Sequence, residues 1–438
     1  MGGVGPGPSG RTTAPKLASL RRRWGVADLI RLLPALLVTV AAAGIRLWRV
    51  GLPRAYVFDE AYYVPDALTY LHGGVERAWV HPPLGKWLIA SGIRAFGDRP
   101  VGWRMASVVF GTAAVLLTYF LAHRLLRSRG WATLASALVA VDGLQIVQSR
   151  VAMPDIFLTT FLVAGALLAH RYVTVGPDPG VSERRRLGWL TGAGFMFGAG
   201  LAVKWSALPV IGLAAIGVVA MAAHRRRAVI VVAGFLGLVP LAVYLLSYAR
   251  FWSRNGLDLG GWVRLQRSML RFHTGDLGPH PYASPPLGWL LLWRPVAYFY
   301  EADEGRVRHI LALGNPLLWW GFLATLPSLL RGWLRRRDRA ADIVVLAVAG
   351  LYLPWLLLVR RTAFLYYVTP LVPFMALGVA WALQRLWDSS GPRSLRRGVV
   401  IAYLAVTLAA AVLLLPVWLG LPIDVRHWRR LMLFGSWI

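Results

Sequence analysis

One apolar stretch with a basic end, "WRMASVVFGTAAVLLTYFLAHRLLRSRG", runs from Trp103 to Gly130. It holds an apolar run of about 20 residues, which is enough to cross a bilayer as a helix. Three arginines follow the run within a few residues. Such a pattern is typical of a transmembrane helix whose basic end faces the cytoplasm. Because the pattern recurs along the chain, it predicts a polytopic membrane protein.

The composition supports this interpretation. The chain has 438 residues, of which 57% are hydrophobic and 15% charged, whereas a soluble domain has about 25% charged residues. The net charge is +29, but the basic residues lie in short clusters between apolar runs, which argues against a nucleic-acid partner. Without cysteine, the chain forms neither a disulfide framework nor a thiolate metal site.

The hydrophobic runs predict an all-α protein with about eleven spans. A signal peptide is an alternative for the first run, but its continuation through Ile45 and Trp48 favours a retained span. The stretch Leu84–Phe96 is too short to cross comfortably and is predicted to be re-entrant or interfacial. The predicted spans are 29–50, 103–125, 131–148, 155–172, 188–204, 206–223, 228–248, 311–330, 342–359, 364–384 and 399–420.

The basic clusters predict the orientation. Alternate connections contain "HRLLRSRG", "SERRR", "HRRR", "RGWLRRRDR" and "RLWDSSGPRSLRR", so these are predicted to be cytoplasmic. The Gly/Pro/Ser-rich segment 1–28 is then a disordered cytoplasmic N-terminus, followed by a transmembrane domain, 29–420. Two long loops, 51–102 and 249–310, and a tail, 421–438, are predicted to be external. We find no internal repeat, which argues against an inverted-repeat transporter.

An acidic pair lies in the first external loop, in "YVFDEAYYVPDAL", Tyr56 to Leu68. Asp59 and Glu60 are two of only 19 acidic residues. They are solvated loop acids in the simplest interpretation. Their aromatic flanks, however, could raise the pKa of a carboxylate and make it a better base. Adjacent carboxylates diverge, so at most one is expected to touch a reacting hydroxyl.

The same loop contains "WVHPPLGKW", Trp79 to Trp87. His81 precedes two prolines, which force an extended or turning backbone. Gly85 allows close approach, and Lys86 can offer a point charge to a phosphate. The alternative is a turn that only ends the loop.

Cations at predicted external turns form the third group. Arg150, Lys204, Arg360 and Arg361 lie at such turns, against the positive-inside bias, and so indicate an anionic partner. A lipid-linked phosphate fits, because arginine binds phosphate bidentately and lysine acts as a point charge. Asp155 lies near Arg150. Its alternative role is purely structural, as an N-cap or first-turn acid of a helix.

The long loop 249–310 is rich in arginine and aromatic residues. About half of it is predicted to be an amphipathic segment lying on lipid headgroups. His273 and His280 alone are weak evidence for a site, since no metal-ligand spacing appears. The chain also has no glycine-rich phosphate loop, which argues against a nucleotide-driven pump.

In their order, these motifs resemble the actinobacterial members of the protein O-mannosyltransferase family. The resemblance rests on "FDEAYYVPDA", "HPPLGK", "QSRVAMPDIFLTTF", "VKWSALP" and "RRTAFLYYVTPLVPF", and it extends from about residue 35 to the tail. The chain departs from eukaryotic members because it lacks the beta-trefoil domain they insert in the long external loop.

The resemblance implies a GT-C fold with the site in the external loops. It also implies inverting transfer of mannose from polyprenyl-phosphate-mannose to Ser/Thr of exported proteins at the plasma membrane. Asp59 is then the general base, Glu60 positions the acceptor or holds Arg150, and Asp155 orients Arg150. His81 and Lys86 shape the sugar and peptide site, while Lys204, Arg360 and Arg361 bind the donor phosphate.

Other partners and functions stay open at this point. Membrane lipids and the secretion translocon are further expected partners. No cofactor and no metal are predicted, although dependence on a divalent metal is left open. The nearest alternative is a GT-C enzyme that glycosylates a lipid, as an aminoarabinose transferase does. A transporter or flippase fits less well, because the ionisable groups gather at one membrane face rather than mid-span.

Overall fold

The computed structural model describes residue 2 and residues 26–175, 180–221, 225–275, 278–336, 338–358 and 361–438. Most of the predicted disordered segment 1–28 lies outside these residues, and the first helix begins at Val26. A π-helical stretch, Ala233–Leu238, joins the helix Arg225–Val232 to the helix Val239–Ser247. The helices are α1 Val26–Leu47, α2 Glu60–His72, α3 Leu84–Phe96, α4 Pro100–Leu126, α5 Arg129–Ala140, α6 Gly143–Gln148, α7 Asp155–Val175, α8 Glu183–Val203, α9 Leu208–Ala220, α10 Arg225–Val232, α11 Val239–Ser247, α12 Ala249–Asn255, α13 Leu259–Thr274, α14 Pro316–Arg336, α15 Arg339–Leu351, α16 Leu353–Leu357, α17 Val372–Asp388, α18 Arg393–Leu419 and α19 Val425–Leu431.

Seven helices of the described chain are long and apolar enough to cross a membrane. In an 18-residue window of Leu365–Asp388, 89% is buried, so this segment lies at the centre, whereas only 22% of such a window in Arg393–Leu419 is buried, so that helix forms part of the periphery. The mostly helical architecture confirms the predicted class. The count of eleven spans stays a prediction.

The described helices run between two ends of the molecule. The arginine-rich end holds the described ends of α4, α7, α9, α14 and α17; there Gln384 of α17 donates to the Leu126 carbonyl of α4, and Asp338 contacts Arg385. Capping residues begin the returning helices there: the side chains of Ser128, Ser182 and Asp338 accept backbone N–H groups of α5, α8 and α15, which satisfies donors that a helix start leaves free. The opposite end, called the site end, holds the segments 48–59, 149–154 and 204–207 and most of 248–315.

A small sheet at the site end was not predicted. Strands β1 Val296–Asp303 and β2 Arg306–Ala312 form an antiparallel hairpin, and β3 Ile423–Asp424 pairs with β2. Its turn uses positive φ at Glu304 and Gly305. The sheet therefore joins the predicted external loop 249–310 to the predicted tail.

Candidate active site

A cavity of about 230 Å³ lies at the site end. It is bounded by the first loop, by the starts of α7 and α9 and by the ends of α13 and α16. Four of the five motifs that the sequence singled out therefore contribute side chains to one concave surface, and the motif that holds Asp59 does not line it. Its polar side chains are His81, Asp155, Lys204, Ser206, His273, Thr274 and Arg361, and its aromatic ones are Trp205, Trp355 and Tyr367.

A buried ion pair forms one wall of the cavity. Lys204 Nζ lies 2.9 Å from both carboxylate oxygens of Asp155. Asp155 begins α7, and Lys204 ends α8 with an extended backbone. The ammonium also lies 5.2 Å from the ring centre of Tyr367. The predicted pairing of Asp155 with Arg150 is thus wrong, because Asp155 holds Lys204 instead.

Asp59 lies immediately before α2, within charge range of this pair. Burial raises the pKa of its carboxyl to about 6, while Lys204 and a hydrogen bond with Tyr366 act to lower it. The preceding residue, Phe58, adopts a left-handed backbone with φ of 48°. Such strain in a non-glycine residue is common near functional sites. Phe58 is fixed by stacking on Tyr298, with ring centres 4.4 Å apart.

Arg361 supplies a second cation to the cavity. Its Nη1 donates to the Phe272 carbonyl at 2.8 Å, and its buried Nε has no partner among the described residues. A guanidinium held on one side only keeps donors for a ligand. Arg360 lies outside the described residues, so its predicted phosphate role stays a prediction.

Two histidines stack beside the cations. The rings of His81 and His273 are 5.0 Å apart, and His273 Nε2 lies 2.6 Å from the Val80 carbonyl oxygen. Burial lowers the pKa of His81 well below its usual range, and the charge of Lys204 acts in the same direction. Burial also lowers the pKa of His273 to about 4. Both imidazoles are therefore neutral and able to hydrogen-bond a hydroxyl.

Glu60 turns away from the cavity. Its oxygens accept two hydrogen bonds from Arg104, each of 2.8 Å, and one each from the backbone N–H groups of Val57 and Ala152. The predicted pairing of Glu60 with Arg150 is therefore wrong. The Ala152 bond connects the Asp59 loop to the segment that leads into Asp155, so Glu60 fixes the two acidic elements relative to each other.

Lys86 also contacts protein groups outside the cavity. Lys86, only 1% exposed, contacts Glu76, donates to the Ala78 carbonyl at 2.8 Å and lies 3.7 Å from Asp66. A charge so compensated is not available to a phosphate, and Lys86 does not line the cavity, so its predicted part in shaping the sugar and peptide site has no geometric support. Gly85 does allow a close approach, because a Cβ there would lie 3.2 Å from Pro154.

Arg150 caps a helix rather than facing the cavity. Its Nη1 donates to the carbonyls of Ile45, Arg46 and Trp48 at 2.7–3.0 Å. Cations stabilise the negative C-terminal end of a helix, here that of α1. The predicted substrate-binding role of Arg150 therefore has no geometric support.

Sequence reasoning missed four residues of this region. Tyr366 and Tyr367 lay inside a quoted motif, and His273 was set aside for lack of a ligand partner. The signal for Arg104 was an arginine inside an otherwise apolar span. Among the described residues, no group of three metal-ligating side chains occurs; the prediction that the site uses no metal stays a prediction.

Two family models match the chain. One, described as dolichyl-phosphate-mannose-protein mannosyltransferase, matches residues 36–103 and 98–255. The other, described as the C-terminal four TMM region of protein-O-mannosyltransferase, matches residues 259–437. Together they extend over nearly the whole described chain.

Individual proteins give the same result. The polyprenol-phosphate-mannose–protein mannosyltransferase of Mycobacterium tuberculosis is 30% identical over 95% of this chain and 92% of its own length. An undecaprenyl phosphate-alpha-4-amino-4-deoxy-L-arabinose arabinosyl transferase of Pseudomonas aeruginosa is 29% identical, over 87% of this chain and 66% of its own. The S. cerevisiae protein O-mannosyltransferase Pmt1-Pmt2 complex bound to the sugar donor matches with a TM-score of 0.82 at 15% identity, over 97% of this chain and 94% of that one. This likeness confirms the predicted GT-C fold.

Proposed function

The chain belongs to the protein O-mannosyltransferase family, and we propose on that premise that it transfers mannose from polyprenyl-phosphate-mannose to Ser/Thr hydroxyls of exported proteins. It is a multi-pass membrane protein. One observation supports this function best: the cavity gathers Lys204, Arg361 and two neutral histidines within charge range of a carboxyl of raised pKa. This arrangement suits a reaction with one base and an anionic leaving group.

The reaction needs few protein groups. Asp59 accepts the proton of the acceptor hydroxyl, whose oxygen forms a bond to the anomeric carbon as the bond from that carbon to the phosphate oxygen breaks. The sugar carbon inverts, and the polyprenyl phosphate leaves as an anion that needs no general acid. Lys204 and Arg361 stabilise the charge that develops on that phosphate. His81 and His273 are placed to bind sugar hydroxyls.

The remaining residues act through these. Glu60 is a positioning residue in this proposal, because its four hydrogen bonds leave no lone pair directed at the cavity. Asp155 holds Lys204 in place, Arg150 caps the end of α1, and Lys86 supports the first loop through Asp66, Glu76 and Ala78.

The orientation follows from the arginine-rich end, which the positive-inside rule assigns to the cytoplasm. The site end then faces outward from the plasma membrane, where acceptor polypeptides emerge from the translocon. Surrounding anionic lipids are partners of the basic chain.

A second candidate is glycosyl transfer to a lipid, favoured by the similarity to the arabinosyl transferase. Purified protein given polyprenyl-phosphate-mannose and, separately, a Ser/Thr peptide or lipid A distinguishes the two. We expect transfer to the peptide, its loss in Asp59→Asn, and no loss in Asp303→Asn, which removes an exposed carboxyl at the hairpin tip. Transfer to lipid A and not to the peptide would contradict the proposed protein acceptor and support a lipid acceptor.

A further inference from the structure

The described part of α13 has three distinct faces. One face is buried: Trp262, Leu265 and Met269 pack with Tyr244 and Tyr248. Next to it runs an exposed apolar stripe, in which Leu259, Val263 and Leu270 are 64%, 38% and 52% exposed. Residues at spacings of four and seven lie on the same side of a helix, so these three side chains are aligned along one stripe.

The third face is basic. Arg264, Arg267 and Arg271 follow each other at spacings of three and four and are exposed, so they form a stripe beside the apolar one. Arg264 lies 3.6 Å from Asp258, and both side chains are exposed. In the described chain, no carboxylate lies within ion-pairing distance of Arg267 or Arg271. The stripe therefore carries charge at Arg267 and Arg271 that no described carboxylate neutralises.

The fold places both ends of α13 at the ends of spans. Its start follows the span that ends at Ser247, with only α12 and a short link between. Near its end, Leu270 lines the same cavity as Pro354 and Leu358, where the span Arg339–Leu357 ends. Both ends of α13 are therefore held next to the ends of spans.

We propose that this exposed face of α13, called the headgroup face, binds the anionic phospholipid surface at the site end. Leu259, Val263 and Leu270 enter the acyl boundary, and Arg267 and Arg271 contact phosphates. A soluble acidic polypeptide would use the arginines but leave the apolar stripe in water, so the bilayer fits both stripes better. The contact is next to the site, because Arg361 donates to the α13 carbonyl of Phe272.

The chain has no cysteine, so Val263→Cys gives one labelling position for an environment-sensitive dye. The labelled protein is placed in vesicles of phosphatidylcholine, with and without phosphatidylglycerol. Nitroxide lipids quench a dye that lies in the bilayer, and iodide quenches a dye that lies in water. When phosphatidylglycerol is present, we expect quenching by the nitroxide lipids and none by iodide. Each arginine near an anionic surface contributes about fivefold, so R267Q/R271Q should shift the embedded-to-exposed ratio by about 25-fold toward exposed.

The matched control is R429Q/R430Q, which removes the same charge from exposed residues of α19 and should leave quenching unchanged. Leu259→Cys provides a second labelling position if the first variant is unstable. Iodide quenching that persists in phosphatidylglycerol vesicles would overturn the proposal. The proposal would also be overturned if an added acidic peptide, and not phosphatidylglycerol, protected the dye from iodide. Neither readout depends on mannosyl transfer.

Discussion

Asp59 is the residue on which the proposed chemistry depends. A carboxylate with an ordinary pKa is a weak base, and burial beside Asp155 moves that of Asp59 toward neutrality. Proximity to Lys204 keeps the charged form accessible. The aromatic flanks in the sequence predicted this raised pKa, but the sequence did not show which of the two adjacent acids faces the cations.

A pH profile reports this group directly. A base acts in its deprotonated form, which is present above its pKa of about 6. We expect kcat/KM for mannosyl transfer to fall about tenfold per pH unit as the pH drops below about 6. The Asp303→Asn variant should keep the same profile. A wild-type profile without an inflection near pH 6 would contradict Asp59 as the base.

Glu60 and Arg104 form a fully buried pair, so its disruption should be costly. We expect Glu60→Gln to lower the free energy of unfolding by about 3 kcal/mol and to reduce kcat more than it changes the donor KM. Thermal unfolding and steady-state kinetics measure the two effects. Glu301→Gln breaks an exposed pair with Arg308 and should cost under about 1 kcal/mol. Equal costs in the two variants would argue against the positioning role.

The partners of Glu60 could not be predicted from sequence. Arg104 lies 44 residues further along the chain, and it is tertiary packing that brings the two together. Lys86 was misassigned for the same reason, since the sequence gives no indication that Glu76 and Asp66 would neutralise it.

At the scale of elements, the end of α1 depends on Arg150. We expect Arg150→Met to lower the free energy of unfolding by about 2 kcal/mol, because three carbonyls lose a charged donor. The donor KM of Arg150→Met should be unchanged.

Arg361→Ala is the comparison variant: it should raise the donor KM at least about tenfold and change the free energy of unfolding little. A rise in the donor KM of Arg150→Met would instead support the substrate-binding role that the sequence predicted for Arg150.

The seven long apolar segments of the described chain were predictable because each contains an apolar run of about the length of a span. The hairpin was not, because its strand β2 continues into apolar residues that were assigned to the span 311–330. The strand ends at Ala312, and the helix begins only at Pro316. The sequence did contain one indication of the hairpin: the Gly-containing turn "EADEGRV" lies between two segments rich in strand-forming residues.

At the scale of the whole molecule, the separation of arginine-rich end and site end predicts the topology. Single cysteines in this cysteine-free chain test it. In intact cells, a membrane-impermeant maleimide should label Asp303→Cys at the site end but not Ser389→Cys at the arginine-rich end. Ser389→Cys should react only after permeabilisation. The reverse pattern would invert the proposed orientation.

In the proposed mechanism, Asp59 acts as the base and Arg361 binds the donor phosphate, and one paired measurement separates the two roles. Donor binding and mannosyl transfer to a peptide are measured on Asp59→Asn and Arg361→Ala in the same membranes. We predict that Asp59→Asn binds the lipid donor normally but transfers almost no sugar, whereas Arg361→Ala loses donor affinity. Near-wild-type transfer by Asp59→Asn, or unchanged donor affinity in Arg361→Ala, would contradict this mechanism.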